Sequence, residues 1–134
     1  MASFLVTGGA GFVGGNFVRS LLRRRDDSVT VLDALTYAAN RSTLDSLPRE
    51  RFRLVEGSVC DEELVHRLVA DHDVVVHFAA ESHNDNSLAD PAPFVETNLV
   101  GTFRILEAVR RHERRYHHVS TDEVYGDLAV DQAR

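Results

Sequence analysis

Apolar and polar positions along the chain alternate between two periods, one suited to strands and one to helices. Phe4-Leu5-Val6 is a short apolar run that predicts a first strand over about residues 3–7. It feeds a predicted helix from Gly11 to about Arg25, where Val13, Phe17 and Leu21 recur on one face. Val29 to Asp33 reads as a second strand. A loop over Leu35 to Asn40 and a short helical piece precede Pro48, and Phe52 to Glu56 is a third strand. After Asp61 a helix starts with Glu62 and Glu63 in its first turn, and Leu64, Val65, Leu68 and Val69 form its buried face. The continuous run Val74-Val75-Val76-His77-Phe78 suits a central parallel strand covered on both faces. A polar loop from Glu81 to Pro93 follows, then the longest helix, Phe94 to about His112, then a fifth strand from Tyr116 to Ser120. Strand and helix alternating from end to end predict an α/β fold, a doubly wound parallel sheet of five strands in one domain over residues 1–134.

The longest helix stands out. Val95, Leu99, Thr102, Leu106 and Val109 mark one face, and Phe94, Val100 and Phe103 widen it. So much apolar area predicts packing on two sides, against the sheet and against something else.

Composition narrows the possible partners. The chain has 134 residues, 43% hydrophobic and 27% charged, which fits one compact domain. A net charge of −6 disfavours nucleic acid, because phosphate is repelled by an acidic surface. The single cysteine, Cys60, allows no intrachain disulfide and favours a reducing, cytoplasmic setting. The seven histidines lack metal-ligand spacing, so no metal site is expected, and no apolar run approaches membrane-spanning length.

The candidate chemistry clusters at predicted strand ends, where open α/β sheets bind ligands. Thr7-Gly8-Gly9-Ala10-Gly11-Phe12-Val13-Gly14 joins the first strand to the first helix. Glycine permits a tight turn and close backbone approach, and the helix N-terminus beside it suits a pyrophosphate. Two registers of the dinucleotide fingerprint fit: Gly9, Gly11 and Gly14, or Gly8, Gly11 and Gly14. Asp33 lies 19 residues after Gly14, where a carboxylate accepts from both hydroxyls of an adenosine ribose and repels a 2′-phosphate. NAD is therefore favoured over NADP. Ala79-Ala80 would let a flat cofactor lie close, although small residues there also suit ordinary packing. The adjacent acids Asp122-Glu123, if both face the crevice, would repel each other until one holds a proton. Such an acid and base side by side suit the removal of water across a carbon–carbon bond. A plain glycine turn and a solvated acidic loop are the bland readings of the same residues.

Five segments carry a resemblance: Thr-Gly-Gly-Ala-Gly-Phe-Val-Gly (7–14), Asp-Ala-Leu-Thr-Tyr-Ala (33–38), His-Phe-Ala-Ala-Glu-Ser-His (77–83), Val-Glu-Thr-Asn-Leu-Val-Gly-Thr (95–102) and Val-Ser-Thr-Asp-Glu-Val-Tyr-Gly-Asp (119–127). With these the whole chain resembles the N-terminal half of dTDP-glucose 4,6-dehydratases, extended short-chain dehydrogenases/reductases with a Rossmann-type NAD-binding domain. The resemblance implies a reaction on a nucleotide-linked hexose, dTDP-glucose. NAD takes hydride from sugar C4, water leaves across C5 and C6, and hydride returns to C6. Glu123 would be the base at C5, Asp122 the acid at the C6 hydroxyl, and Thr121 a hydrogen-bond donor to the C4 oxygen. Phe12, Val13, Asp33, Leu35, Thr36, Val59, Ala79, Ala80, Ser82 and Thr97 fall at the family's cofactor-lining positions, and Ser82, His83 and Thr121 on the substrate side. Ser58 stands where the family has an aspartate touching adenine, and Asn84 and Asn86 replace a valine and an arginine. The family's catalytic Tyr-x-x-x-Lys pair and its substrate-binding domain have no counterpart here, since Tyr125 is followed by Ala129 at the fourth position. In the family the helix over 94–112 joins a dimer bundle, so a homodimer is implied. A non-catalytic dinucleotide-binding module and a nucleotide-sugar epimerase are the alternatives, the epimerase disfavoured by Asp122-Glu123.

Overall fold

A computed structural model describes residues 1–24, 26–37, 39–82 and 88–126. Five strands, β1 (Ser3–Thr7), β2 (Ser28–Asp33), β3 (Phe52–Glu56), β4 (Val74–His77) and β5 (Arg115–His118), form one sheet in the order β3-β2-β1-β4-β5. Every pairing is parallel. Helices α1 (Phe12–Arg24) and α2 (Glu62–Ala70) follow β1 and β3. The predicted strand ends hold to within two residues, and the predicted helical piece before Pro48 is the 3₁₀ turn Arg41–Thr43.

The period-2 alternation of the strands divides the core into two layers. Leu5, Leu32 and Val75 pack with Val65, Leu68 and Val69 of α2 and with Ile105 and Ala108. Their sequence neighbours Val6, Val31 and Val76 face the other way, onto Val18 and Leu22 of α1. Helix α2 begins as its sequence dictates: Asp61 caps it, its side chain accepting from the Leu64 N–H at 3.0 Å.

The third helix, α3, departs from expectation. It runs through an α-helical turn Ala92–Phe94, a π-helical segment Val95–Gly101 and an α-helical part Thr102–His112. The residues it buries are Gly101, Ile105 and Ala108. Of the apolar face that the sequence marks, Val95 and Leu106 are exposed, and Leu99 is 66% exposed, so this side does not pack on the sheet. The π-helical segment helps set which residues are buried, because its wider turns rotate the first half of the helix relative to the second. One 3.6-residue period therefore cannot be carried across it. What survives is the two-sided character: Val95, Leu99, Val100, Phe103 and Leu106 form an apolar face that no described residue covers.

Candidate active site

The strand order reverses direction between β1 and β4, and a crevice of about 410 Å³ opens at their C-terminal ends. The β1 turn contributes Gly8, Gly11, Phe12, Val13 and Gly14 to it; the end of β2 contributes Asp33 and Thr36. The turn after β3 adds Ser58 and Val59, the end of β4 adds Ala79, Ala80 and Ser82, and α3 adds Thr97. All of these were candidates from sequence. Leu35 is not on the crevice; it borders a neighbouring depression with Arg41 and Glu56. His83, Asn84 and Asn86 lie outside the described residues. Phe78, Glu81 and Val119 also line the crevice; each lies within one of the five segments but carries no assigned role there.

The structure decides between the two glycine registers. Gly8 has φ +69°, and a Cβ there would sit 2.7 Å from the Ala79 backbone nitrogen. A Cβ on Gly14 would lie 2.3 Å from the Gly8 carbonyl oxygen. A Cβ on Gly9 would instead run into the Val31 side chain, away from the crevice. Gly8, Gly11 and Gly14 line the crevice, and Gly9 does not. Gly11 differs from its partners, because a Cβ there would touch only the Gly8 oxygen, at 3.3 Å, and otherwise occupy open crevice. That is a cradle a side chain would fill, and it lies beside the first turn of α1, whose N–H groups have no intrahelical partner. The residues present fit a dinucleotide.

Asp33 is held rigidly. One carboxylate oxygen accepts from the Ala10 N–H and the other from the Leu35 N–H, both at 2.8 Å. Each oxygen retains a further lone pair for a sugar hydroxyl. The second bond accounts for the left-handed backbone of Leu35 (φ 53°), a conformation that costs about 1–2 kcal/mol for such a residue.

Thr121, Asp122 and Glu123 stand past the end of β5, beyond Val119, on the exposed rim rather than in the crevice wall. Thr121 caps a 3₁₀ turn (Asp122–Tyr125), its hydroxyl accepting from the Glu123 N–H at 3.2 Å. The same hydroxyl lies 3.4 Å from Asp122 Oδ1 and from Glu123 Oε2. That hydroxyl has one proton, so it can donate to either acid but not to both at once. Among the described residues no group of three or more His, Cys, Asp or Glu is placed to hold a metal ion. No helix among them is long and apolar enough to cross a membrane.

The family model for GDP-mannose 4,6 dehydratase matches residues 5–133. The chain belongs to that family. It is 63% identical over 128 residues to a dTDP-glucose 4,6-dehydratase of Mycobacterium tuberculosis, covering 95% of this chain and 38% of the relative. To dTDP-glucose 4,6-dehydratase 1 of Escherichia coli K12 the identity is 47%, with 92% and 38% covered. Among solved structures, the Streptomyces venezuelae dTDP-glucose 4,6-dehydratase DesIV, determined with NAD bound, superposes with a TM-score of 0.87 at 47% identity. That match covers 95% of this chain and 42% of DesIV. A Thermotoga maritima UDP-glucose 4-epimerase, covered to 41% by 96% of this chain, shares the fold at TM-score 0.83 but only 29% identity. The chain thus spans about two-fifths of the length of these relatives, and the resemblance read from the five motifs holds at family level.

Proposed function

We propose that this chain is the NAD-binding part of a dTDP-glucose 4,6-dehydratase, a lyase of deoxysugar biosynthesis. The observation that carries this reading is the placement of Asp122 and Glu123 beside the Thr121 hydroxyl, past the β5 end that Val119 brings to the crevice. Gly8, Gly11 and Gly14 with the α1 N-terminus would hold the pyrophosphate, and Asp33 the adenosine ribose. Ala79, Ala80, Ser82 and Thr97 would line the nicotinamide side. When bound, NAD supplies a reversible hydride acceptor. The chain's own share is proton movement: Glu123 takes the C5 proton, made acidic by an adjacent C4 carbonyl, and Asp122 protonates the departing C6 hydroxyl. Thr121 and Ser82 would contact the sugar, with His83 in support. A cytoplasmic setting fits the single cysteine, Cys60.

The 134 residues contain no lysine, so no Tyr-x-x-x-Lys pair exists among them. Cofactor binding without turnover is what these residues by themselves support. Titration of the folded chain with NAD tests the reading: saturable binding is expected, with NADP bound far more weakly. Asp33→Asn should weaken NAD binding about tenfold, the cost of one charge-assisted hydrogen bond, and narrow the NADP gap. A folded chain that ignores NAD would refute the assignment.

A second copy of the chain is the occupant we propose for the exposed face of α3. Leu99 and Phe103 are 66% and 53% exposed at its centre. Sedimentation velocity should show a dimer that Leu99→Gln with Phe103→Gln converts to monomer. A wild-type chain that stays monomeric at high concentration would count against it.

A further inference from the structure

His77 ends β4 and is 1% exposed, with its ring on the sheet face that α3 covers. Its Nδ1 lies 2.6 Å from Thr7 Oγ1 and its Nε2 3.1 Å from Thr102 Oγ1. The Ala79 N–H donates to the same Thr7 oxygen at 3.3 Å. These partners belong to three segments that wall the crevice. Thr7 precedes the glycine turn, Ala79 lines the crevice at the β4 end, and Thr102 sits on α3, five residues beyond the lining Thr97. We propose that His77 is a positioning residue for the dinucleotide crevice, a neutral imidazole protonated on Nε2 that ties β1, β4 and α3 together. This inference rests on the crevice being the cofactor site.

The hydrogen-bond accounting selects the tautomer. Thr7 is fully buried, so its hydroxyl proton needs a protein acceptor, and Nδ1 at 2.6 Å provides one while the Thr7 oxygen accepts from Ala79. Thr102 is only partly buried, and its own proton is less constrained. Nδ1 then accepts, so Nε2 carries the hydrogen and donates to Thr102. A second proton on Nδ1 would confront the Thr7 hydroxyl and leave that hydroxyl's own proton without an acceptor. The titratable groups facing the ring are His118 and Tyr116 of β5, with centroids 5.4 and 6.4 Å away, while β1 and α3 present only hydroxyls. Burial first, and repulsion from His118 second, push the His77 pKa down to about 4.

Linkage sets the sign of the pH effect. Between pH 6.5 and about 4 the unfolded chain binds a proton that folded His77 refuses. Stability is fully present above pH 6.5 and is lost as pH falls toward 4. The loss relative to His77→Gln should be up to roughly 300-fold in the folding equilibrium. Nitrogen-15 NMR of the ring should show the Nε2–H tautomer at pH 7; an Nδ1–H tautomer or proton uptake near pH 6.5 would overturn the inference. In NAD titrations, His77→Phe should weaken binding about tenfold, the scale of one lost buried link, with His77→Gln restoring part of it. Ile105→Val, a core change on α3, should lower the melting temperature and leave NAD affinity alone. If the Phe variant does not fold, Thr102→Val, which removes only the acceptor of the Nε2 proton, carries the same expectation. Unchanged affinity in the folded variants would overturn the positioning role. Absence of NAD binding by the wild-type chain with the ring tautomer as described would instead bring down the cofactor reading on which that role depends.

Discussion

Gly14→Ala should cost the fold about 3 kcal/mol or more and eliminate cofactor binding with it. The added Cβ would lie 2.3 Å from the Gly8 carbonyl oxygen, 3.0 Å from the Gly8 carbonyl carbon and 3.0 Å from the Gly9 Cα. All three are backbone atoms of the turn, so no flexible side chain can yield, and the cost belongs at or beyond the upper end of overpacking penalties. Relief requires α1 to move off β1, which disturbs the layer of Val18 and Leu22 on Val6 and Val31. Gly11→Ala is the informative partner. Its Cβ would meet one atom, the Gly8 oxygen at 3.3 Å, and should change stability by less than about 1 kcal/mol. Yet it projects a methyl group where the pyrophosphate backbone approach is needed, so NAD affinity should fall by about tenfold or more. Thermal melts and NAD titrations of both variants separate the two effects. Wild-type melting of Gly14→Ala would contradict the close approach described above.

These two glycines also show what a sequence carries and what it does not. The strands were legible because one-sided and two-sided burial leave period-2 and continuous apolar patterns, and Val74 to Val76 display the latter plainly. The glycine turn and Asp33 were legible through spacing. Which glycines share the turn was not, since Gly8 and Gly9 differ only in backbone torsion and in what their missing Cβ would strike. Which face of α3 meets the sheet is not legible, because a π-helical segment leaves no mark in residue type and Ile105 sits among many apolar neighbours. In the sequence His77 is one member of an apolar run; that its ring bridges Thr7 and Thr102 depends on strands β1 and β4 being adjacent, a property of topology. Leu35 sits off the crevice for a similar reason, because its backbone turns left-handed to serve Asp33.

Glu123→Gln should lower dehydration by about a thousandfold while leaving NAD binding intact. Positioned general bases contribute between about a hundredfold and ten-thousandfold, and C5 proton removal has no other carboxylate so placed on this segment except Asp122. Gln keeps the volume and one hydrogen-bonding oxygen, so the Thr121 contact at 3.4 Å and the cap at 3.2 Å survive while the proton acceptor is lost. The assay needs a full-length polypeptide, and a chimera carrying the remaining part of the M. tuberculosis dTDP-glucose 4,6-dehydratase supplies one. That relative is matched by this chain over 38% of its length at 63% identity. Asp122→Asn in the same chimera should slow loss of the C6 hydroxyl but preserve exchange of the C5 hydrogen with solvent deuterium, because the base is untouched. Glu123→Gln should slow both. The two acids are adjacent and each lies 3.4 Å from the Thr121 hydroxyl, so partial overlap of their effects is expected in the double variant. If Glu123→Gln retained deuterium exchange at C5 while Asp122→Asn lost it, the acid and base assignments would be reversed; if neither variant slowed turnover, the rim would not be the reaction centre.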